Sequence, residues 1–169
     1  MIAARREILA AAAALAGAAT AWLAFRWLPP SHVLVGTTAV DAWVPPHYQA
    51  TAFAPFCGFA AVLALDFARS RATSGWPSRV ALVLATSLVA VVRLAGLAPL
   101  SGHAVLAAAV VVHEARSPHR SAAVAAAAVA SAAITGWYKL FVWGDVAWFA
   151  LSCAVGVAIG LACTGGARR

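Results

Sequence analysis

At 169 residues, 64% of them hydrophobic and 10% charged, the chain carries too few charges for an ordinary soluble domain, in which about a quarter of residues are charged. Its formal charge of +7 would suit nucleic acid in a soluble protein, but the arginines sit in short connections between apolar runs, where they set membrane topology. No nucleic-acid partner is expected. Cys57, Cys153 and Cys163 lie inside apolar runs with no metal-ligand spacing, which favours packing thiols over a disulfide framework or a zinc site.

In chain order, the apolar runs predict helices near 7–27, 49–67, 80–98, 102–115, 121–139 and 145–163, each read as a span of roughly 20 residues with the fourth short for a crossing. The fold class is therefore an all-α, six-transmembrane-helix bundle forming a single domain over 1–169. Nine of the twelve cationic side chains fall on alternate connections: Arg5 and Arg6; Arg69, Arg71 and Arg79; Arg116 and Arg120; Arg168 and Arg169. The positive-inside bias assigns that side, and both termini, to the cytoplasm of a multi-pass cell-membrane protein. The first run, with Arg5 and Arg6 before an Ala-rich stretch, also resembles a secretory signal. Its continuation through Trp22, Phe25 and Trp27 favours an uncleaved first helix with an interfacial anchor.

The long outward connection, 28–48, carries two Pro-Pro pairs that stiffen it against helix formation, and an ordered cap is expected there. The inward links contain turn signals, Ser-Gly-Trp-Pro and Ser-Pro-His. Asp66 and Glu114 lie near Arg69 and Arg116 at the inner boundary, where interfacial ion pairing is expected, and His113 and His119 read as headgroup contacts. In the last helix, Gly156 and Gly160 form a small-xxx-small pair that marks a close contact within the bundle or between copies in a homo-oligomer. The seven tryptophans fall mostly near predicted boundaries, as an aromatic belt would.

On this topology the outward face gathers His32, Asp41, His47, Arg93, Ser101, His103, Lys139 and Asp145. Arg26, Arg93 and Lys139 defy the positive-inside bias. An anionic ligand would explain Arg93 and Lys139, and snorkelling to headgroup phosphate would explain all three. Ser101-Gly102-His103 opens the fourth helix, and Trp143-Gly144-Asp145 precedes the sixth.

With these two turns the sequence resembles the type 2 phosphatidic acid phosphatase superfamily over roughly 90–163. Ser101, Gly102 and His103 match that family's Ser-Gly-His motif, and Asp145 matches the final Asp of its second motif. The resemblance implies a six-helix membrane enzyme acting on lipid phosphates. The family's nucleophilic His would fall at Phe141 and its Arg at Thr135, and its Lys-x6-Arg-Pro motif is absent.

Three readings stay open. In the first, a lipid or polyprenyl phosphate binds at the outer face to Arg93, Lys139, Ser101 and Gly102. There His103 would act as acid or base, Asp145 would orient, and His47 or His32 would replace the nucleophile. In the second, His32, His47, His103 and one of Asp41 or Asp145 hold a metal, although none of them shows local ligand spacing. In the third, catalysis is lost and the protein binds lipid, a partner or a small anion. Ser101 then caps helix four, and Asp145 stabilises the start of helix six with Lys139 as its ion partner. The first and third readings require no cofactor.

Overall fold

The computed structural model describes residues 2–26, 33–35, 38–40, 46–69 and 76–165. They form six helices: α1 (Ile2–Arg26), α2 (Pro46–Arg69), α3 (Trp76–Leu94), α4 (Gly102–Arg116), α5 (Ala122–Trp137) and α6 (Val146–Gly165). A π-helical turn, Tyr138–Val142, prolongs α5. Between α1 and α2, two short strands, β1 (Val33–Val35) and β2 (Thr38–Val40), pair antiparallel with Val33 opposite Val40. These β-branched residues stand between the Pro-Pro pairs, where a helix is disfavoured.

All six expected helices are present, with shifted boundaries that have local causes. Helix α3 begins four residues before the expected residue 80, because Pro77 sits in its first turn, where a missing N–H costs no helix bond. It stops at Leu94 rather than 98 because Gly96 adopts φ 71°. The Gly96 amide donates to the Arg93 carbonyl and the Leu97 amide to that of Val92, the paired bonds of a Schellman cap. Pro46 likewise opens α2 earlier than expected and draws His47 and Tyr48 into its first turn.

Among the described residues four helices are long and apolar enough to cross a membrane: α1, α3, α5 with its π turn, and α6. Helix α4 has only 15 residues, about 22 Å at 1.5 Å per residue. It is nonetheless the best-buried helix, with Ala104, Val105, Leu106, Ala107, Ala109 and Val110 all inside.

Small residues set how closely the helices approach. Ser101, Val105 and Ala109 of the α4 segment face Ser152, Gly156 and Gly160 of α6, so the two helices run parallel. A β-carbon on Gly156 would lie 2.3 Å from the Val105 carbonyl oxygen, and one on Gly160 2.7 Å from that of Ala109. Ser152 and Thr164 continue this buried stripe in both directions. The small-xxx-small face expected to serve a close contact is thus occupied by α4 of the same chain, and a homo-oligomer contact through it would have to displace α4. At Gly58 of α2 a β-carbon would lie 3.2 Å from the Ala10 carbonyl oxygen and 3.3 Å from the Ala14 side chain of α1, a looser approach.

The bundle has two polar ends. One, here the head, carries Tyr48, Arg93, Ser101, His103, Lys139 and Asp145. The other, the base, carries Glu7, Arg79, His113, Glu114 and Ser121.

At the base, Arg79 and Glu114 are fully buried. The Arg79 Nε donates to Glu114 Oε1 at 3.2 Å, and its Nη2 lies 3.0 Å from both carboxylate oxygens and 2.7 Å from the His119 carbonyl. The Ser121 amide donates to Glu114 Oε2 at 2.6 Å. Glu7 accepts from the Ser121 hydroxyl and the Ala123 amide, so α1 supplies the negative charge that the start of α5 favours. Arg6 donates to the His119 and Arg120 carbonyls. These contacts correct two expectations. Glu114 pairs with Arg79, not Arg116, and His113 is buried among protein groups rather than facing lipid headgroups. His119 is exposed, and the Asp66 side chain lies outside the described residues.

Replacing Gly156 with Ala forces α4 and α6 apart and should cost about 1–3 kcal/mol, the usual penalty for overpacking. The equivalent change at Gly102, where a β-carbon meets nothing within 4 Å, should be far milder. Thermal unfolding of the two purified variants in one detergent checks the ranking, which equal melting temperatures would overturn.

Candidate functional site

The head is assembled from five helix ends: the starts of α2, α4 and α6, the end of α3, and the π turn that prolongs α5. Ser101 caps α4: its hydroxyl accepts from the Ala104 amide at 3.4 Å, while its own amide donates to Ser152 Oγ of α6 at 2.8 Å. The Ser152 hydroxyl in turn donates to the Trp148 carbonyl at 2.6 Å. This chain of bonds ties the first turn of α4 to α6 and fixes where the next side chains point. Gly102 leaves open space beside the backbone there. His103, half-buried, lies against the Tyr48 ring with centroids 6.0 Å apart.

Tyr48 is the hub of an aromatic cluster. Its ring stands edge-on to Tyr138 at 5.2 Å and to Trp143 at 5.3 Å, and Tyr138 and Trp143 meet at 5.5 Å. Such geometries match the ring quadrupoles and add to the area buried. Sequence reasoning passed over Tyr48 and Tyr138. The available signal was an aromatic in the first turn after Pro45-Pro46 facing another just before Lys139, but nothing in the sequence alone pairs the two.

The π turn shapes the other side of the site. Trp143 donates its amide to the Tyr138 carbonyl at 2.9 Å and Asp145 to that of Lys139 at 2.6 Å, with Gly144 at φ 65° closing the turn. Gly144 takes the left-handed conformation that a side chain would disfavour. The widened turn carries Lys139 inward, where its Nζ donates to Asp145 Oδ2 at 2.7 Å with both side chains 4% exposed. The ammonium also lies 5.5 Å from the Trp143 ring centroid. This is the ion pair across the turn named in the reading without catalysis.

Arg93, in the last turn of α3, donates from Nη1 to the Leu100 carbonyl. Its charge and that of Lys139 both act on His103. The structure therefore brings Arg93, Ser101, Gly102, His103, Lys139 and Asp145 to one end. The side chain of His47 lies outside the described residues, although its backbone falls in the first turn of α2, and His32 and Asp41 lie outside them altogether. Among the described residues no three His, Cys, Asp or Glu side chains are grouped to hold a metal ion. The two family positions occupied differently here are also placed: Thr135 is buried, and Phe141 is 73% exposed. Neither offers a nucleophile of the kind the family uses.

Chemically, the head combines two cations, one carboxylate, an imidazole and a ring cluster. Compared with protein-family models, curated proteins and solved structures, the chain matches none.

Because both members of the Lys139–Asp145 pair are buried, removing one leaves the other uncompensated, at about 3–5 kcal/mol. Asp145→Asn and Lys139→Met should each be strongly destabilising, and the double variant less so than the sum of the two. A double-mutant cycle on unfolding in detergent measures the coupling; additive effects would show that the pair does not hold the turn.

Proposed function

We propose that this chain is a six-span cell-membrane protein, diverged from the type 2 phosphatidic acid phosphatase superfamily, that holds an anionic lipid phosphate at the head of its bundle. The apolar helices support the membrane reading. So does the base, where Arg5, Arg116 and Arg120 are exposed, as the positive-inside bias expects of a cytoplasmic face. The head is then extracytoplasmic and both chain ends lie on the cytoplasmic side. Helix α4, short for a crossing, is compatible with that arrangement because protein surrounds most of it.

One observation carries the ligand assignment: the charges of Arg93 and Lys139 both act on His103, and the carboxylate of Asp145 pairs with Lys139 while Arg93 bonds the Leu100 carbonyl. Two cations against one anion leave a net positive charge at a site of low dielectric, which a phosphate would neutralise. Gly102 leaves room for a headgroup oxygen to approach the α4 backbone, and the start of that helix favours negative charge. Exposed Phe141, Trp137 and Val142 beside it suit the interfacial zone of a bilayer. With Phe141 and Thr135 where the family has its His and Arg, the reading is of binding without the phosphohistidine route. His103 would donate a hydrogen bond to the bound phosphate.

A purely structural role for these residues draws on the same Lys139–Asp145 pair and on the Ser101 cap, both of which stabilise the fold in their own right. The two separate on binding. Detergent-purified protein is offered phosphatidic acid, a polyprenyl phosphate and phosphatidylcholine, and retained lipid is measured by native mass spectrometry, with inorganic phosphate assayed in parallel. The phosphate monoesters should be retained over phosphatidylcholine. Arg93→Ala should weaken retention about tenfold or more, as expected for losing a charge-assisted bond of about 1.5–3 kcal/mol. Retention that is indifferent to Arg93 and His103 favours the structural reading, and phosphate release abolished by His103→Ala would make the protein a hydrolase with an altered nucleophile.

A further inference from the structure

The base holds a second constellation, at the opposite end from the proposed lipid site. Ser78, in the first turn of α3, has its Oγ 2.9 Å from His113 Nε2. His113 Nδ1 lies 3.1 Å from Glu114 Oε1. A carboxylate only accepts, so Nδ1 carries the proton that faces Glu114, and Nε2 is left to accept from the Ser78 hydroxyl. This hydroxyl, imidazole and carboxylate relay has the connectivity and distances of an activated serine, in which the base is oriented by a third group.

The surroundings hold the relay still. Glu114 is clamped by Arg79 through both carboxylate oxygens and by the Ser121 amide, so its Oε1 cannot swing away from His113. The Phe59 ring packs edge-on to the imidazole at 6.2 Å and beneath the Arg79 guanidinium at 5.8 Å. His113 and Glu114 are fully buried, whereas Ser78 is half-buried and is the member through which a substrate would meet the relay. Ser78 also stands at the N-terminal end of a 19-residue helix, whose dipole favours negative charge developing on an oxygen there. Nearby, Trp76 packs on Phe67 at 5.6 Å, and Phe67 is 48% exposed, giving the approach an apolar rim.

We infer that Ser78 and His113, with Glu114 as the positioning residue, form a serine hydrolase centre at the base of the bundle that acts on carboxylic esters with an apolar acyl chain. In the first half-reaction Ser78 Oγ bonds to the ester carbonyl carbon as its proton passes to His113 Nε2. The carbon–alkoxide bond then breaks, and the alcohol leaves with that proton. In the second, His113 takes a proton from water, the resulting hydroxide attacks the acyl-serine, and the carboxylic acid departs as Ser78 regains its proton. Water is the only co-reactant. An apolar acyl chain is specified because the rim is aromatic and a polar acyl group would be desolvated against it without a partner.

The test uses the full chain in detergent and an alkyl fluorophosphonate, which phosphonylates activated serines. A covalent adduct is expected on the wild-type protein and should map to Ser78 by peptide mass spectrometry. That measurement needs no variant and is independent of folding effects. Ser78→Ala should remove the adduct while Ser87→Ala, on the exposed face of the same helix, retains it. His113→Gln should slow labelling about 100-fold or more, the usual contribution of a general base. Glu114→Gln should lower the maximal labelling rate with the half-saturating probe concentration unchanged, whereas a purely structural Glu114 would reduce only the fraction that labels. Hydrolysis of p-nitrophenyl octanoate should follow the same order. Wild-type protein that is folded by size-exclusion chromatography yet takes no adduct, or takes it at another residue, overturns the inference. Neither result bears on lipid phosphate binding at the head, since Arg93 and His103 play no part in this assay.

Discussion

The buried pair of Arg79 and Glu114 is the constraint on which the lower half of the bundle depends. Two opposite charges removed from water cost several kcal/mol each, and only near-complete hydrogen bonding recovers that cost. Here the carboxylate takes Arg79 on both oxygens, the Ser121 amide and the His113 imidazole. Each partner comes from a different part of the chain: the start of α3, the end of α4 and the α4–α5 turn. Glu7 adds α1 through the same Ser121. The pair therefore gives the base a single register, because sliding any of these helices by one turn would strand a charge in an apolar interior. Helix α3 needs this most, since Val83, Leu84, Leu88 and Val91 leave one of its faces uncovered by protein.

Between α4 and α6 the register is set along their length by volume instead of charge. The buried stripe of Ser152, Gly156, Gly160 and Thr164 lets the α4 backbone approach α6 until the Val105 and Ala109 carbonyls touch glycine. Lipid tails are as apolar as leucine, so between membrane helices such close packing replaces the hydrophobic drive that water supplies elsewhere. It also has a consequence for the head. The Ser101 amide reaches Ser152 only because the helices are that close, and this bond places Gly102 and His103 at the mouth of the turn beside Lys139 and Asp145.

The helices were legible in the sequence because apolar runs, arginine-bearing links and Gly-Pro punctuation act locally. Their ends were less so: the Schellman cap at Gly96 depends on a backbone conformation that a glycine permits but does not announce. Most of the head was legible through two short motifs, Ser101-Gly102-His103 and Gly144-Asp145, whose residues are neighbours in sequence. Tyr48 escaped because its partners His103, Tyr138 and Trp143 are far from it along the chain. The base was misread for the same reason. Arg79 and Glu114 are 35 residues apart, and each has a closer neighbour of opposite or like charge in the sequence. Position alone made Glu114 an interfacial residue beside Arg116, whereas packing turned it inward toward α3.

The two ends differ in how far their charges are satisfied, and that difference separates their chemistry. At the base the buried Glu114 carboxylate meets the Arg79 guanidinium and both of its oxygens have donors, so this pair makes no electrostatic demand for an additional anion. What remains there is a hydroxyl on an imidazole whose geometry is already held, an arrangement suited to moving a proton rather than to binding charge. At the head Lys139 takes the Asp145 carboxylate, while Arg93 is met by the Leu100 backbone carbonyl, a dipole and not a charge. A carbonyl satisfies the guanidinium geometrically without neutralising it. The cost of keeping that cation in a low-dielectric setting falls when an anion arrives. The two ends are thus built from different charged residues, and they differ in that the Arg79 charge is met by a carboxylate whereas the Arg93 charge is met by a carbonyl.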